Sequence, residues 1–330
     1  MSLTRRQIGN LTILGATVAA AFALSGWTGT LGGYQGNQPF NPGNRNTLIV
    51  PFKAGGGSDQ SGRAIAAGLE EATAKNISVE NHEGGSGAVG YSNFLRMHGD
   101  GSKLLATETA LIALPLTQDV RFNWRSFTPI MKLGDDYTLI VVRKDSPFTD
   151  LRQAIVSTRG KRVTIAVSGA TSLDEVVFSL IEQDQNVRFD RVPYESGGEV
   201  LTGLLGGHVE MASLNPGEVI GHLQSGELRA LAAIAPERYE YDELKDIPTG
   251  IEQGINVAFA QFRGVIAPGG IPEDARSFWI EAARRYATTP AADAYLAENF
   301  MQKAPVYGDD FSTYLDDYNK NLAKVLGAKK

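Results

Sequence analysis

No cysteine occurs among the 330 residues. Disulfide frameworks, Cys-ligated zinc, iron–sulfur clusters, thiol nucleophiles and Cys-anchored lipoproteins are therefore excluded. Histidine is scarce. His82, His98, His208 and His222 stand far apart, with no HExxH or other close ligand spacing, which argues against a His-rich metal centre. Basic excess is also missing. Lys and Arg number 31 against 37 Asp and Glu, a net charge of −6, which argues against nucleic-acid binding through a global basic field. The chain has no GxxxxGK[ST] phosphate loop and no GxSxG nucleophile elbow. Beyond the first 24 residues, no apolar run is long enough to span a bilayer. What remains is a chain with 42% hydrophobic and 21% charged residues, long enough for about two packed domains.

The first segment reads as an address. Arg5 and Arg6 precede an apolar run, Leu11 to Leu24, and Ala21-Phe22-Ala23 gives a small-x-small cleavage signal. A secretory signal peptide over residues 1–23 is expected, with Thr4-Arg5-Arg6 also compatible with twin-arginine export. Cleavage would remove two arginines and no acid, taking the net charge from −6 to −8. Residues 24–45, rich in Gly, Asn and Pro, are expected to form a flexible leader.

From Thr47 onward, short apolar runs alternate with glycine-rich turns and helical periodicity. The spacing predicts strands at 47–52, 77–80, 103–107 and 138–143, with helices at 59–74 and 88–97. Ser58 is a candidate N-cap for the first helix. The pattern then restarts: strands at 162–167, 188–193, 209–213, 228–234 and 262–267, helices at 172–183, 199–205 and 216–224, and a mainly helical tail over 272–327. Ser172 and Glu175 have the S-x-x-E spacing of a capping box. Repeated strand–turn–helix units predict an α/β fold with parallel sheets covered by helices. The restart near residue 145 predicts two lobes with a ligand crevice at the C-terminal ends of the strands.

Three turns share one layout, strand then small residues then helix start: 53–58, 81–88 and 168–172. Each presents backbone N–H groups at the positive end of a helix dipole, a setting for carboxylate or phosphate. Strand–helix turns also use glycine for purely structural reasons, so one such turn alone carries little weight. Phe52, just before the first turn, could wall a ligand or simply join the core. Gly85-Ser-Gly87-Ala-Val-Gly90 is a literal GxGxxG, with Glu108 ending the next strand, and imitates a dinucleotide-binding fingerprint. Asn81, His82 and Glu83 separate it from its strand, where the fingerprint would begin at the strand end.

Val50-Pro-Phe-Lys-Ala-Gly-Gly-Gly-Ser-Asp59 with Arg63, then Val79-Glu-Asn81, Gly84-x-x-Gly-Ala-Val-Gly90 and Asp100-Gly101, resembles the periplasmic solute-binding proteins of tripartite tricarboxylate transporters. Val192-Pro-Tyr194, Leu204-Leu-Gly-Gly-His-Val-Glu210, Ser225-Gly-Glu-Leu-Arg-Ala-Leu231, Asp246-Ile-Pro-Thr249 and Arg263-Gly-Val-Ile-Ala-Pro268 continue the likeness in order, over about residues 47–327.

The resemblance implies a two-lobed type II periplasmic-binding fold with a ligand cleft. Lobe 1 is expected over 46–144 and 265–330, and lobe 2 over 145–264. It further implies that Phe52, Ala54, Gly55, Gly56 and Asp59 form the first ligand loop, with Asn81 and Thr109 lining the same lobe. Ser168, Gly169, Ala170, Thr171 and Ser172 would grip from the second lobe. Asn215 takes the place of a polar residue that reaches the ligand, and Phe262 that of an aromatic, often Trp. Two positions depart from the pattern. Asp174 stands where His is common, and Lys53 where the residue is usually apolar or small. An acid at 174 could disfavour a second anionic group or simply cap its helix.

The expected function is non-enzymatic: capture of a small organic acid, a di- or tricarboxylate or an aromatic carboxylate, and delivery to integral-membrane transporter subunits. No cofactor, metal or nucleic acid is expected, and the protein is expected to be a periplasmic monomer. The alternatives are an exported dinucleotide-dependent oxidoreductase using Gly85 to Gly90, or a ligand-sensing subunit of a signalling system.

Overall fold

The computed structural model describes residues 40–169, 172–194 and 196–327. The expected signal peptide, most of the expected leader, and Ala170 and Thr171 of the second-lobe turn lie outside the described residues.

The chain first lays down β1 (Asn46–Val50), α1 (Gly57–Thr73), β2 (Ile77–Asn81), α2 (Ala88–Leu95), β3 (Lys103–Thr107), α3 (Ala110–Thr117) and β4 (Phe127–Tyr137). It then crosses to a second unit of β5 (Leu139–Arg143), α4 (Leu151–Ser157), β6 (Thr164–Val167), α5 (Leu173–Gln185) and β7 (Asp190–Pro193). That unit is completed by α6 (Gly197–Leu205), β8 (Met211–Leu214), α7 (Pro216–Gln224) and β9 (Leu228–Ala233). It returns as β10 (Ala260–Pro268), α8 (Glu273–Ala287), α9 (Pro290–Glu298), β11 (Gln302–Tyr307) and α10 (Gly308–Leu326). The two sheets run β11-β4-β10-β3-β1-β2 and β7-β6-β8-β5-β9. The fold is two-lobed α/β.

Every residue of β1, Asn-Thr-Leu-Ile-Val, is buried, as a strand covered on both faces requires. Helix α1 lies close on that sheet and on α8 because glycines remove side chains from its buried stripe. A Cβ on Gly62 would fall 2.5 Å from Val50 Cγ2, and one on Gly68 would fall 1.9 Å from the Tyr286 ring of α8. Separate apolar clusters fill both faces of each sheet.

The sheets are mixed, not parallel as the strand–turn–helix pattern predicts. β1 pairs parallel with β2 and β3, and β6 with β7 and β8. Strands β4, β5, β9, β10 and β11 pair antiparallel, because they belong to the excursions between the sheets and to the C-terminal return. The chain changes sheet at Thr138, earlier than the boundary expected after 144. It re-enters the first sheet at Ala260, before the expected 265. Tyr137 and Ala260 are register partners, so the two crossings lie side by side.

Candidate functional site

Five helix N-termini open into one cavity of about 340 Å³ between the sheets: those of α1, α3, α5, α6 and α7. The chain leaves β1, β3, β6 and β8 into the loops that line it, as expected for a crevice at strand C-terminal ends.

On the first lobe, α1 starts at Gly56 with no side-chain cap, and α3 starts at Thr109 with none. Ser58 is not the cap expected from its position. It lies inside α1, and its hydroxyl donates to Glu108. Asp59 and Asn81 organise the glycine loop from behind. The Asp59 carboxylate accepts from Gly55 N and Arg63 Nε, each at 2.9 Å, and from Asn81 Nδ2 at 2.9 Å. Asn81 also donates to the Phe52 carbonyl at 3.0 Å. Burial pushes the Asp59 carboxyl up, but these donors outweigh it and hold the group below the usual carboxylate range. Gly55, at φ +88°, occupies the left-handed region that this turn requires.

The floor of the cavity is a buried ion cluster. Arg263 Nη2 meets Asp136 Oδ2 at 2.7 Å and its Nη1 meets Glu108 Oε2 at 2.8 Å. A register irregularity beside Arg263, between β10 and β4, accompanies this placement. Gln261 donates to the same Glu108 oxygen at 3.0 Å. From the second lobe, Asn215 Nδ2 donates to Asp136 Oδ1 at 2.6 Å and ties the lobes together across the floor. Burial raises both carboxyls, partly offset by Arg263. Burial alone would lower the guanidinium, but the two acids hold it firmly protonated.

The second lobe presents helix starts already engaged by the protein itself. Ser172 Oγ accepts from Glu175 N and caps α5, the first half of the expected capping box. Glu175 itself pairs with Arg191 at 2.6 Å. The Asp174 carboxylate takes Ser168 N at 2.7 Å, Ser168 Oγ at 3.2 Å and Glu175 N at 3.0 Å. At α7, Glu218 Oε2 reaches back to Asn215 N at 3.2 Å. Ser196 Oγ caps α6 through Glu199 N. Desolvation at the cavity wall raises the carboxyls of Asp174 and Glu218; for Glu218 the Asn215 amide and Arg263 offset part of this, while the Asp136 and Asp174 charges add to it.

Of the residues expected to form the site, Phe52, Gly56, Thr109, Ser168, Ser172 and Asn215 line the cavity. Ala54 and Gly55 belong to the same loop but do not line it, while Asp59 and Asn81 stand behind it. The carbonyl of Gly169 accepts from Ser172 Oγ inside the turn. Phe262 does not face the cavity. Strand alternation turns it into an aromatic core with Phe311, Tyr314 and Tyr318, while its neighbours Gln261 and Arg263 point to the cleft.

Sequence reasoning passed over Ser58, Thr138, Ser196, Ser213, Glu218 and Gln261 as lining residues. Glu108 had a usable signal, an acid at the C-terminal end of a predicted strand. Between Gly85 and Gly90, only Ser86 lines the cavity. The glycines serve packing: a Cβ on Gly90 would lie 2.5 Å from Pro51 Cβ, and Gly87 has φ +99° against the Phe52 ring. Glu108 is engaged by Arg263, so the dinucleotide arrangement finds no support in its surroundings.

The model of the tripartite tricarboxylate transporter family receptor matches residues 62–328. The chain belongs to this receptor family. A UPF0065 protein of Agrobacterium vitis is 27% identical over 297 residues, covering 85% of this chain and 83% of its own. A TctC solute-binding protein from Polaromonas, solved without ligand, is 25% identical with a TM-score of 0.72, covering 86% of this chain and 98% of its own. MatC of Rhodopseudomonas palustris, solved with bound malate, shares the fold at 22% identity and a TM-score of 0.75, covering 85% of this chain and 98% of its own. The protein is thus a TctC-type solute-binding protein. Among the described residues, no helix is long and apolar enough to cross a membrane.

Proposed function

We propose that this TctC-type receptor is exported, captures a small organic acid in the interlobe cavity and delivers it to integral-membrane transporter subunits without chemical change. The observation that carries the reading is the meeting of five helix N-termini at one cavity, two of them without side-chain caps. Such ends supply N–H donors and positive potential, suited to a carboxylate. Phe52, Gly56 and Thr109 on one side, with Ser168, Ser172 and Asn215 on the other, would enclose the ligand. Ala54, Gly55, Asp59 and Asn81 would shape the first loop. Malate in the similarly folded MatC supports a carboxylate of this size. Movement of the lobes about the paired crossings at Tyr137 and Ala260 would trade water for preorganised amides.

A thermal-shift panel of di- and tricarboxylates, aromatic acids, amino acids, sugars and dinucleotides tests this. A carboxylate at 100 times its dissociation constant should stabilise the protein by roughly 2.7 kcal/mol. Stabilisation by neutral sugars or dinucleotides alone would overturn the reading. Export predicts a periplasmic chain beginning near residue 24. An intact Met1 chain in the membrane fraction would contradict it.

A further inference from the structure

The charge in the cavity is unevenly divided between its walls. On the first lobe, two helix starts without side-chain caps stand beside Lys53, exposed at the rim. On the second lobe, Asp174 and Glu218 line the cavity, and no described residue of that lobe brings a cation to it, although Arg263 of the first lobe acts on Glu218. Among the described residues, its only lining cations are Lys53 and Arg263, both on the first lobe. Arg263 is committed to Glu108 and Asp136 at 2.8 and 2.7 Å.

Among the described donors of this wall, those of Ser168 and Asn215 are also engaged. Ser168 gives its amide and hydroxyl to Asp174, and Asn215 gives its amide to Glu218. A ligand carboxylate arriving at this wall would meet acceptors of its own sign. A protonated amine there would meet two carboxylates.

Resting on the carboxylate-receptor reading above, we propose that this chain selects organic acids bearing one carboxylate and, at the far end, a protonated amine, in preference to dicarboxylates of equal length. The carboxylate docks on the α1 and α3 starts and the ammonium faces Asp174 and Glu218. The raised carboxyls of Asp174 and Glu218 agree with this, since a cation between them would favour their ionised forms.

Calorimetry with purified protein at about pH 7 tests the proposal with three length-matched pairs: succinate and β-alanine, glutarate and 4-aminobutyrate, adipate and 5-aminopentanoate. At the length that fits, the amino acid should bind at least roughly tenfold more tightly than the diacid. Glu218→Gln keeps an oxygen for Asn215 N and removes the charge, so it should shrink that ratio at least roughly threefold.

A pH titration of the unaltered protein gives a second measure, independent of whether the variant folds. As pH is lowered from about 7, amino-acid affinity should fall relative to diacid affinity as Asp174 and Glu218, both raised by burial, take up protons. Asp136 and Arg263 also act on Glu218, and Glu108 lines the same cavity; Arg263 stays protonated, and proton uptake by Glu108 or Asp136 acts on both ligands in one sense, so a divergence between the two ligand classes reports the second-lobe wall.

Diacids binding as well as or better than every amino acid would overturn this inference and leave the carboxylate reading standing. Binding of neither class, with sugars or dinucleotides binding instead, would overturn both.

Discussion

The two walls of the cavity are built from the same device, a strand running into a helix start, yet they are finished differently. In the first lobe, α1 and α3 begin without side-chain caps, and the one acid in the first turn of α1, Asp59, is turned back onto Gly55, Arg63 and Asn81. In the second, Ser172, Ser196, Asp174 and Glu218 each engage a helix start or the turn before it. A cap or an acid at a helix start is worth about 1 kcal/mol to the fold. The second lobe takes that stability from its own side chains, whereas the first leaves amides facing the cavity. The difference teaches that one wall leaves its helix starts uncapped, as the proposed anion site requires, and the other meets its helix starts with its own side chains.

The largest expected effect breaks the floor on which the two walls stand. Arg263→Met would leave Glu108 and Asp136 as buried acids without their cation. Loss of one partner in such a cluster costs about 3–5 kcal/mol. Both carboxyls are raised by burial even with Arg263 present, so in the variant their ionised forms cost still more. Its stability deficit should be greatest at neutral pH and shrink as pH falls through their titration. Urea denaturation across pH checks this. A deficit independent of pH would show that the cost is packing, not charge.

Next in size is a substitution that targets the first wall without touching the fold. Gly56 has φ −83° and ψ 172°, a conformation open to any residue, and a Cβ there meets only the Lys53 carbonyl, at 3.8 Å. Gly56→Val should therefore stay folded, at a stability cost of no more than about 1 kcal/mol because Val is a poorer N-cap than Gly, and weaken carboxylate binding at least roughly tenfold by obstructing the α1 start. Gly87→Val is no clean contrast, because φ +99° and the nearby Phe52 ring strain any side chain at that position.

The smallest effect belongs to the second wall. Ser172→Ala removes the α5 cap and should cost ~1 kcal/mol of stability, while changing carboxylate affinity far less than Gly56→Val does. Equal losses of affinity from Ser172→Ala and Gly56→Val would erase the asymmetry.

Much of this was legible in the sequence, for identifiable reasons. β1, β3 and β8 are buried by short apolar runs beside turn residues, and α7 begins at a Pro preceded by Asn, so their bounds follow from local chemistry. β4 was not legible. Its run Phe-Thr-Pro-Ile-Met-Lys-Leu-Gly-Asp-Asp-Tyr contains a proline, a glycine and three charges, yet it is central and largely buried. Lys132 is compensated by Asp135 at 2.5 Å, and Asp136 by Arg263, partners that only the tertiary fold supplies.

β11, with its Pro305 and exposed flank, hid inside a segment read as helical. The site divided in the same way. Loop residues 52–59 and 168–172 announced themselves through glycine and serine. Glu218 and Gln261 reached the cavity only through helix and sheet geometry. Phe262, assigned by resemblance to a position where an aromatic is usual, falls on the core face because alternation along β10 sends Gln261 and Arg263 the other way.

The asymmetry of the walls is tested most directly by a crystal structure of the protein with its tightest-binding carboxylate. The account predicts the ligand's carboxylate oxygens within hydrogen-bond distance of the backbone amides at Gly57 and Ser58 and of those at the α3 start, with Asp174 still holding Ser168. A carboxylate seated instead on Ser168 and Ser172, with Asp174 displaced from that turn, would contradict it.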